Sequence, residues 1–209
     1  MPNAPKIENC DRLLLVEGYS DLLFYAELLK ALGRHEGVFI KPVTGRSNLT
    51  VNLDTFLTPQ LLAEKTAIGL IVDADTNAQG ISDSLSGVLS KVTGQVVSAG
   101  NWTNGKPRIG FFVVPDGSSS GEIESLVWQA WAGDPANSRS RQCVESYVGC
   151  MNEAGFQPHS PHKGLISSLL AIRYDEDPRL GPGARGAREG IFDFTRPEYN
   201  PLKTFLSKL

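Results

Sequence analysis

The chain has 209 residues, 41% of them hydrophobic and 21% charged, with a formal net charge of −3, a composition that suits a globular protein with one sizeable core. No apolar run approaches the ~20 residues that span a bilayer, and the N-terminus lacks the basic-then-apolar pattern of a secretory signal. The acidic balance argues against a broad non-specific DNA surface, although acidic metal ligands lower net charge without covering a whole face.

Residues 12–16 (RLLLV) form a short apolar run, read as a buried strand. It stops at Glu17-Gly18, and Ser20 is a candidate N-cap for the helical pattern DLLFYAELLKALG, which ends at Gly33. Residues 38–43 (VFIKPV) read as a second strand, with Pro42 marking its end or an edge. A helix is expected between residues 48 and 64, interrupted or shortened by Pro59. Residues 67–72 (AIGLIV) are apolar on both faces, as a central strand of a parallel sheet must be, and flow into Asp73-Ala74-Asp75. A helix follows at about 81–92, then a connection over 94–108 rich in Gly, Asn and Thr. Residues 109–114 (IGFFVV) give the last strand, which stops at Pro115-Asp116-Gly117.

The final third is helical, with candidates at 121–131, 138–154 and 161–172. The last is announced by Ser160 as cap and Pro161 at the first helical position. Residues 177–190, with repeated Gly, Pro and Arg, read as a loop, and Leu202, Phe205, Leu206 and Leu209 form the stripe of a short docking helix. Strands alternating with helices predict an α/β fold: a Rossmann-like, mostly parallel open sheet of about four strands flanked by helices, with a helical C-terminal extension. Residues 1–209 read as one domain, with a core over about 10–130 and a helical elaboration over about 131–209. Cys10, Cys143 and Cys150 are odd in number and form no CxxC pair, which points to a reducing, cytoplasmic setting without a disulfide framework or zinc site.

Ligands of open parallel sheets bind beyond the carboxyl ends of the strands, and the acidic residues fall there. Glu17 ends the first strand, Asp73 and Asp75 the third, and Asp116 the last; Glu122 and Glu124 open the next helix, and Asp21 lies one turn beyond Glu17. Carboxylates gathered at one edge repel unless a cation neutralises them, and an all-oxygen set suits Mg²⁺ or Mn²⁺. In an extended chain Asp73 and Asp75 face the same side and could reach one ion or two neighbours. A DxD alone is common by chance; one that ends a buried strand, joined to Val16-Glu17-Gly18 ending another, is specific. Asp116 reads as a turn residue. His159 and His162, separated by Pro161, read as a loop residue and a helix residue and not as a zinc pair. Trp128 and Trp131 read as packing residues. Arg46, and the cluster of Arg173, Arg179, Arg185, Arg188 and Arg196, read as solvated.

Leu13-Leu14-Leu15-Val16-Glu17-Gly18, with Asp21 four residues after the glutamate, and Leu70-Ile71-Val72-Asp73-Ala74-Asp75 together resemble the Toprim family over roughly residues 10–130. Beyond that the chain is similar to small stand-alone Toprim-like proteins of unknown function related to the nuclease half of OLD (overcoming lysogenization defect) enzymes. The resemblance implies metal ligation by Asp73 and Asp75, with Glu17 as ligand or general acid/base. Asp21 and Glu124, the latter chosen over Glu122, would complete a second metal position, for one Mg²⁺ or Mn²⁺ ion or two. Lys163 would be catalytic, adding its charge to the N–H groups of a first helical turn to bind phosphate. The implied activity is a metal-dependent nuclease or related phosphoryl transfer on nucleic acid, DNA ahead of RNA. The chain has no GxxxxGK[ST] loop, so an ATP-dependent activity, as in OLD enzymes, would need a separate ATPase chain. Two alternatives stand beside it. One is a non-catalytic Toprim module that binds metal, nucleic acid or a partner protein. The other is a glycosyltransferase, suggested by LIVDADT and opposed by the short chain and the VEG strand. A haloacid-dehalogenase-type phosphatase expects its aspartates on the first strand and fits less well.

Overall fold

Each apolar run becomes a strand: β1 (Arg12–Val16), β2 (Val38–Pro42), β3 (Ala67–Asp73) and β4 (Arg108–Val114). In the computed structural model, which describes residues 6–43, 53–158, 160–173, 186–187 and 190–209, they form one sheet in the order β2-β1-β3-β4. Every pairing is parallel, so the α/β sheet flanked by helices is as expected. Strand order reverses between β1 and β3, and that switch point is where a ligand crevice opens in such sheets. Glu17 and Asp73 stand on its two sides.

Side chains alternate between the faces of a strand, and here both faces are covered. Leu14, Val16, Ile71, Phe112 and Val114 pack on one side against α1 (Tyr19–Ala31), α5 (Ile123–Ala132), α7 (Pro161–Arg173) and the chain's end. Leu13, Leu15, Leu70, Val72, Phe111 and Val113 pack on the other against α2 (Leu53–Phe56) and α4 (Ala78–Thr93). Each fully buried side chain of this size contributes about 1.5–3 kcal/mol. Asp73 keeps the parity of Ile71, so its carboxylate emerges on the face of α1 and α5.

The helix starts differ from the sequence expectation for local reasons. Helix α1 begins after Gly18 and not at Ser20, because the Asp21 carboxylate reaches back to accept the Gly18 N–H at 2.8 Å. Pro59 opens a helix, α3 (Pro59–Glu64), behind a Thr58 cap whose hydroxyl accepts the Leu61 N–H. The break therefore precedes the proline. Helix α4 starts three residues early, capped by Asn77, and stops at Gly94 with φ 69°. Helix α6 (Ser138–Glu153) follows α5, and α8 (Asn200–Leu206) closes the fold with Leu202, Phe205, Leu206 and Leu209 buried. Residues 48–52, Arg46, His159, Arg179, Arg185 and Arg188 lie outside the described residues, as does most of the expected loop over 177–190. Among the described residues no helix is long and apolar enough to cross a membrane.

Helix α8 docks on a flat spot in the sheet. Gly69 and Gly110 are register partners on β3 and β4, and a Cβ on Gly110 would lie 2.7 Å from Trp102 Cδ2 and 3.0 Å from the Asn101 carbonyl. Trp102 lies against this pair, stacks on Phe205 at 4.8 Å and donates its Nε1–H to the Phe205 carbonyl at 2.9 Å. Gly110→Ala is expected to cost about 2 kcal/mol by overpacking. Gly87→Ala, on α4 where a Cβ meets nothing within 4 Å, is expected to gain about 0.5–1 kcal/mol. Urea denaturation of the two variants reads both signs.

Candidate metal centre

The centre is assembled by the backbone just beyond β3. Ala74 still donates to the Val114 carbonyl at 3.0 Å, and then Asp75 turns into the left-handed region with φ 45°. Its N–H donates to the Gly121 carbonyl at 2.7 Å, and the Gly121 N–H returns a bond to the Asp75 carbonyl at 2.8 Å. Gly121 has φ 145° and stands close to Ser125 and Pro115; a Cβ there would be strained and crowded. This two-bond bridge brings the start of α5 to the sheet edge, where the Ile123 N–H donates to Asp73 Oδ1 at 3.0 Å. Asp73 and Asp75 do converge on one side, but through a left-handed turn instead of an extended repeat.

Asp73, Asp75 and Glu122 each offer a carboxylate oxygen, all within 4.8 Å of one another. Glu17 sits across the switch point, with Oε1 accepting the Asp73 N–H at 3.0 Å. Lys163, in the first turn of α7, places Nζ 3.0 Å from Glu122 Oε2 and 3.8 Å from Glu124 Oε2. Ser160 caps α7 by accepting the Lys163 N–H at 3.2 Å and donates its own hydroxyl to Glu122 Oε1. These groups wall a cleft of about 760 Å³ that includes Glu17, Asp73, Asp75, Glu122 and Lys163. Asp21 and Glu124 sit deeper, close enough to act on the charge of Asp73. All six residues singled out in the sequence thus gather at one edge. Asp116 instead caps its own turn, accepting the backbone N–H groups of Ser118 and Ser119.

For the α5 carboxylate the sequence reasoning preferred Glu124, whereas the residue beside the two aspartates is Glu122. Glu122 is the cap residue, with extended backbone at φ −137° and ψ 175°, so its side chain lies at the helix mouth. Glu124 is inside the first turn, with a side chain 5% exposed and an Oε2 that no donor satisfies. The available signal was Gly121: the residue that follows a strained glycine at a helix start is the one held at the rim. Ser160 was legible as a helix cap but not as a partner of Glu122, and Ser125 carried no sequence signal of its own.

The electrostatics are those of crowded, buried carboxylates. Burial, then the charges of Asp21, Glu17 and Glu124, push the Asp73 pKa well above the ordinary value, with partial relief from Lys163. Burial also raises Asp21, against the pull of the Gly18 N–H and Lys163. Glu124 is raised to about 7 by burial, which Lys163 offsets in part while Glu122 and Asp21 add to it. For Lys163 burial works against the charged form, but Glu124 and Glu122 outweigh it and the pKa rises. Tyr25, buried beneath the cluster, is raised well above its usual value by burial and then by Asp73 and the other carboxylates. This set fits a divalent cation: every donor is oxygen, the buried Glu124 Oε2 has no hydrogen-bond donor, and among the described residues Lys163 is set against both Glu122 and Glu124. Opposite ligands of an ion bound at about 2.1 Å lie about 4.2 Å apart, which small side-chain rotations of the Asp73–Asp75–Glu122 set would reach.

A raised folded-state pKa means that protonation favours the fold. The contribution is present below the unfolded value near 4.5 and is lost as pH rises through about 7 for Glu124. In chelator, wild-type stability is expected to fall by up to about 3 kcal/mol more between pH 4.5 and pH 7.5 than that of Glu124→Gln. Urea midpoints across that range measure the difference, and parallel curves would contradict it.

Among known proteins, a family model described as a protein of unknown function (DUF3226) matches residues 11–209. No curated protein and no solved structure matches the chain. The match runs from the start of the sheet to the last buried leucine and takes in every residue of the acidic cleft, and on that extent the chain belongs to the DUF3226 family.

Proposed function

We propose that this protein is a Toprim-like, Mg²⁺- or Mn²⁺-dependent nuclease, or a related phosphoryl-transfer protein, acting on nucleic-acid phosphodiesters. One observation carries the reading: Asp73, Asp75 and Glu122 converge within 4.8 Å beside the switch point of a parallel sheet, opposite a lysine in the first turn of α7. A divalent ion on those three carboxylates supplies Lewis-acid polarisation of a phosphoryl oxygen. Glu17, anchored on the Asp73 N–H and lining the same cleft, is the group to exchange a proton with the attacking or leaving oxygen. Asp21 and Glu124 set the negative potential beneath. Lys163 is held by Glu122 and Glu124 in this structure; a phosphate in the cleft would compete with them for its ammonium, with the α7 N-terminus adding its dipole. DNA ahead of RNA, and a separate ATPase chain as partner, extend the proposal on the strength of the Toprim and OLD resemblance.

A second reading draws on the same ion pair. Lys163 already neutralises two of the carboxylates, which favours a Toprim-like scaffold that binds nucleic acid or a partner protein without catalysis. Calorimetric titration separates the two. Mn²⁺ is expected to bind wild type and to lose at least about 100-fold in affinity in Asp73→Asn/Asp75→Asn. Glu17→Gln is then expected to lower cleavage of DNA by about 10²–10⁴, in assays with and without a candidate ATPase. Wild-type protein that binds neither Mn²⁺ nor Mg²⁺, with or without a DNA oligomer, would sink the metal reading and leave the scaffold.

A further inference from the structure

The first turn of α7 presents a second polar side chain that the acidic cluster does not use. His162 is half-buried and lines the cleft, with Nδ1 3.1 Å from Ser125 Oγ. Ser125 is 4% exposed and lies in the first turn of α5, where its Oγ accepts the Glu122 N–H at 3.1 Å. A serine hydroxyl has one proton to give, and leaving it unused in a buried setting is costly. Among the described residues the acceptor in reach of that proton is Nδ1 of His162. With the hydroxyl donating to Nδ1, the imidazole carries its proton on Nε2. Nε2 is neither buried without a partner nor bonded to any described residue, so its N–H is available to the cleft.

The ammonium of Lys163 is engaged by Glu122 at 3.0 Å, whereas an imidazole that accepts at Nδ1 keeps its Nε2 donor for an incoming anion.

We infer that His162 binds the substrate phosphate, donating a hydrogen bond from Nε2 to a phosphoryl oxygen beside Lys163, with Ser125 as the positioning residue that fixes its tautomer. This rests on the phosphoryl-transfer reading of the cleft. No proton is transferred: the imidazole donates the hydrogen bond and keeps its hydrogen.

Two measurements on the full chain test the inference. In ¹⁵N-histidine-labelled protein in chelator at mildly alkaline pH, long-range imidazole correlations, assigned with His162→Gln, are expected to show His162 as the Nε2–H tautomer. Ser125→Ala is expected to turn it into a mixture. In Mn²⁺-loaded protein, binding of a fluorescent oligothymidylate is expected to weaken about tenfold in His162→Phe, while Mn²⁺ affinity holds. His162→Gln, whose side-chain amide restores a donor near Nε2, is expected to recover most of the loss. An Nδ1–H tautomer, or one indifferent to Ser125→Ala, overturns the inference whatever the substrate. Equal oligonucleotide binding in wild type and His162→Phe overturns it as well. Wild-type protein that shows the expected tautomer but binds no oligonucleotide places the failure in the phosphoryl-transfer reading, and the inference falls with it.

Discussion

Two backbone hydrogen bonds between Asp75 and Gly121 hold the end of β3 against the start of α5, and the geometry of the acidic cleft follows from them. They force Asp75 out of the strand conformation and place Glu122 at the helix mouth. They also present the Ile123 N–H to Asp73. The bridge is secured from behind by packing: Ile123, Leu126, Val127 and Trp128 of α5 are all buried against the sheet. Core burial thus fixes the position of polar groups that the core itself does not contain.

Several acids with raised pKa in one buried cluster cost the fold stability at neutral pH. Among the described residues this is offset by backbone N–H donors to Glu17, Asp21 and Asp73, by a serine to Glu122 and by a lysine to Glu122 and Glu124. Such strongly perturbed groups in a cleft are the expected mark of a functional site. Structural ion-pair networks perturb pKa too; here the perturbed Asp73 lines one cleft with Glu17, Asp75, Glu122 and Lys163.

The sheet was legible in the sequence because a parallel strand buried on both faces writes itself as an uninterrupted apolar run, as in AIGLIV and IGFFVV. The edge residues Glu17 and Asp73 were legible for the same reason, since each interrupts such a run. What could not be read depended on distant backbone. The side taken by Asp75 was extrapolated from a strand that had already ended. That Glu122, and not Glu124, stands beside the two aspartates follows from a bridge between residues 75 and 121. The role of His162 was hidden because its partner Ser125 is 37 residues away, and local spacing offered only a comparison with His159. Ser20 looked like a cap by residue type, but Asp21 supplied the bond to Gly18 instead. Trp102 belonged to a connection without periodicity, and only the facing glycines at 69 and 110 explain where it rests.

The left-handed turn at Asp75 also sets stability against chemistry at a single position. Glycine adopts φ 45° without a steric penalty and asparagine and aspartate tolerate it at some cost, whereas other side chains cost about 1–2 kcal/mol there. An engineering effort that ranked substitutions by folding free energy alone would therefore favour glycine at 75. It would produce a sturdier protein and delete the most solvent-accessible oxygen donor of the Asp73–Asp75–Glu122 set. Thermostabilised versions of this fold are best made with that residue held fixed, and with the gains sought at sites such as the open helix positions far from the sheet edge.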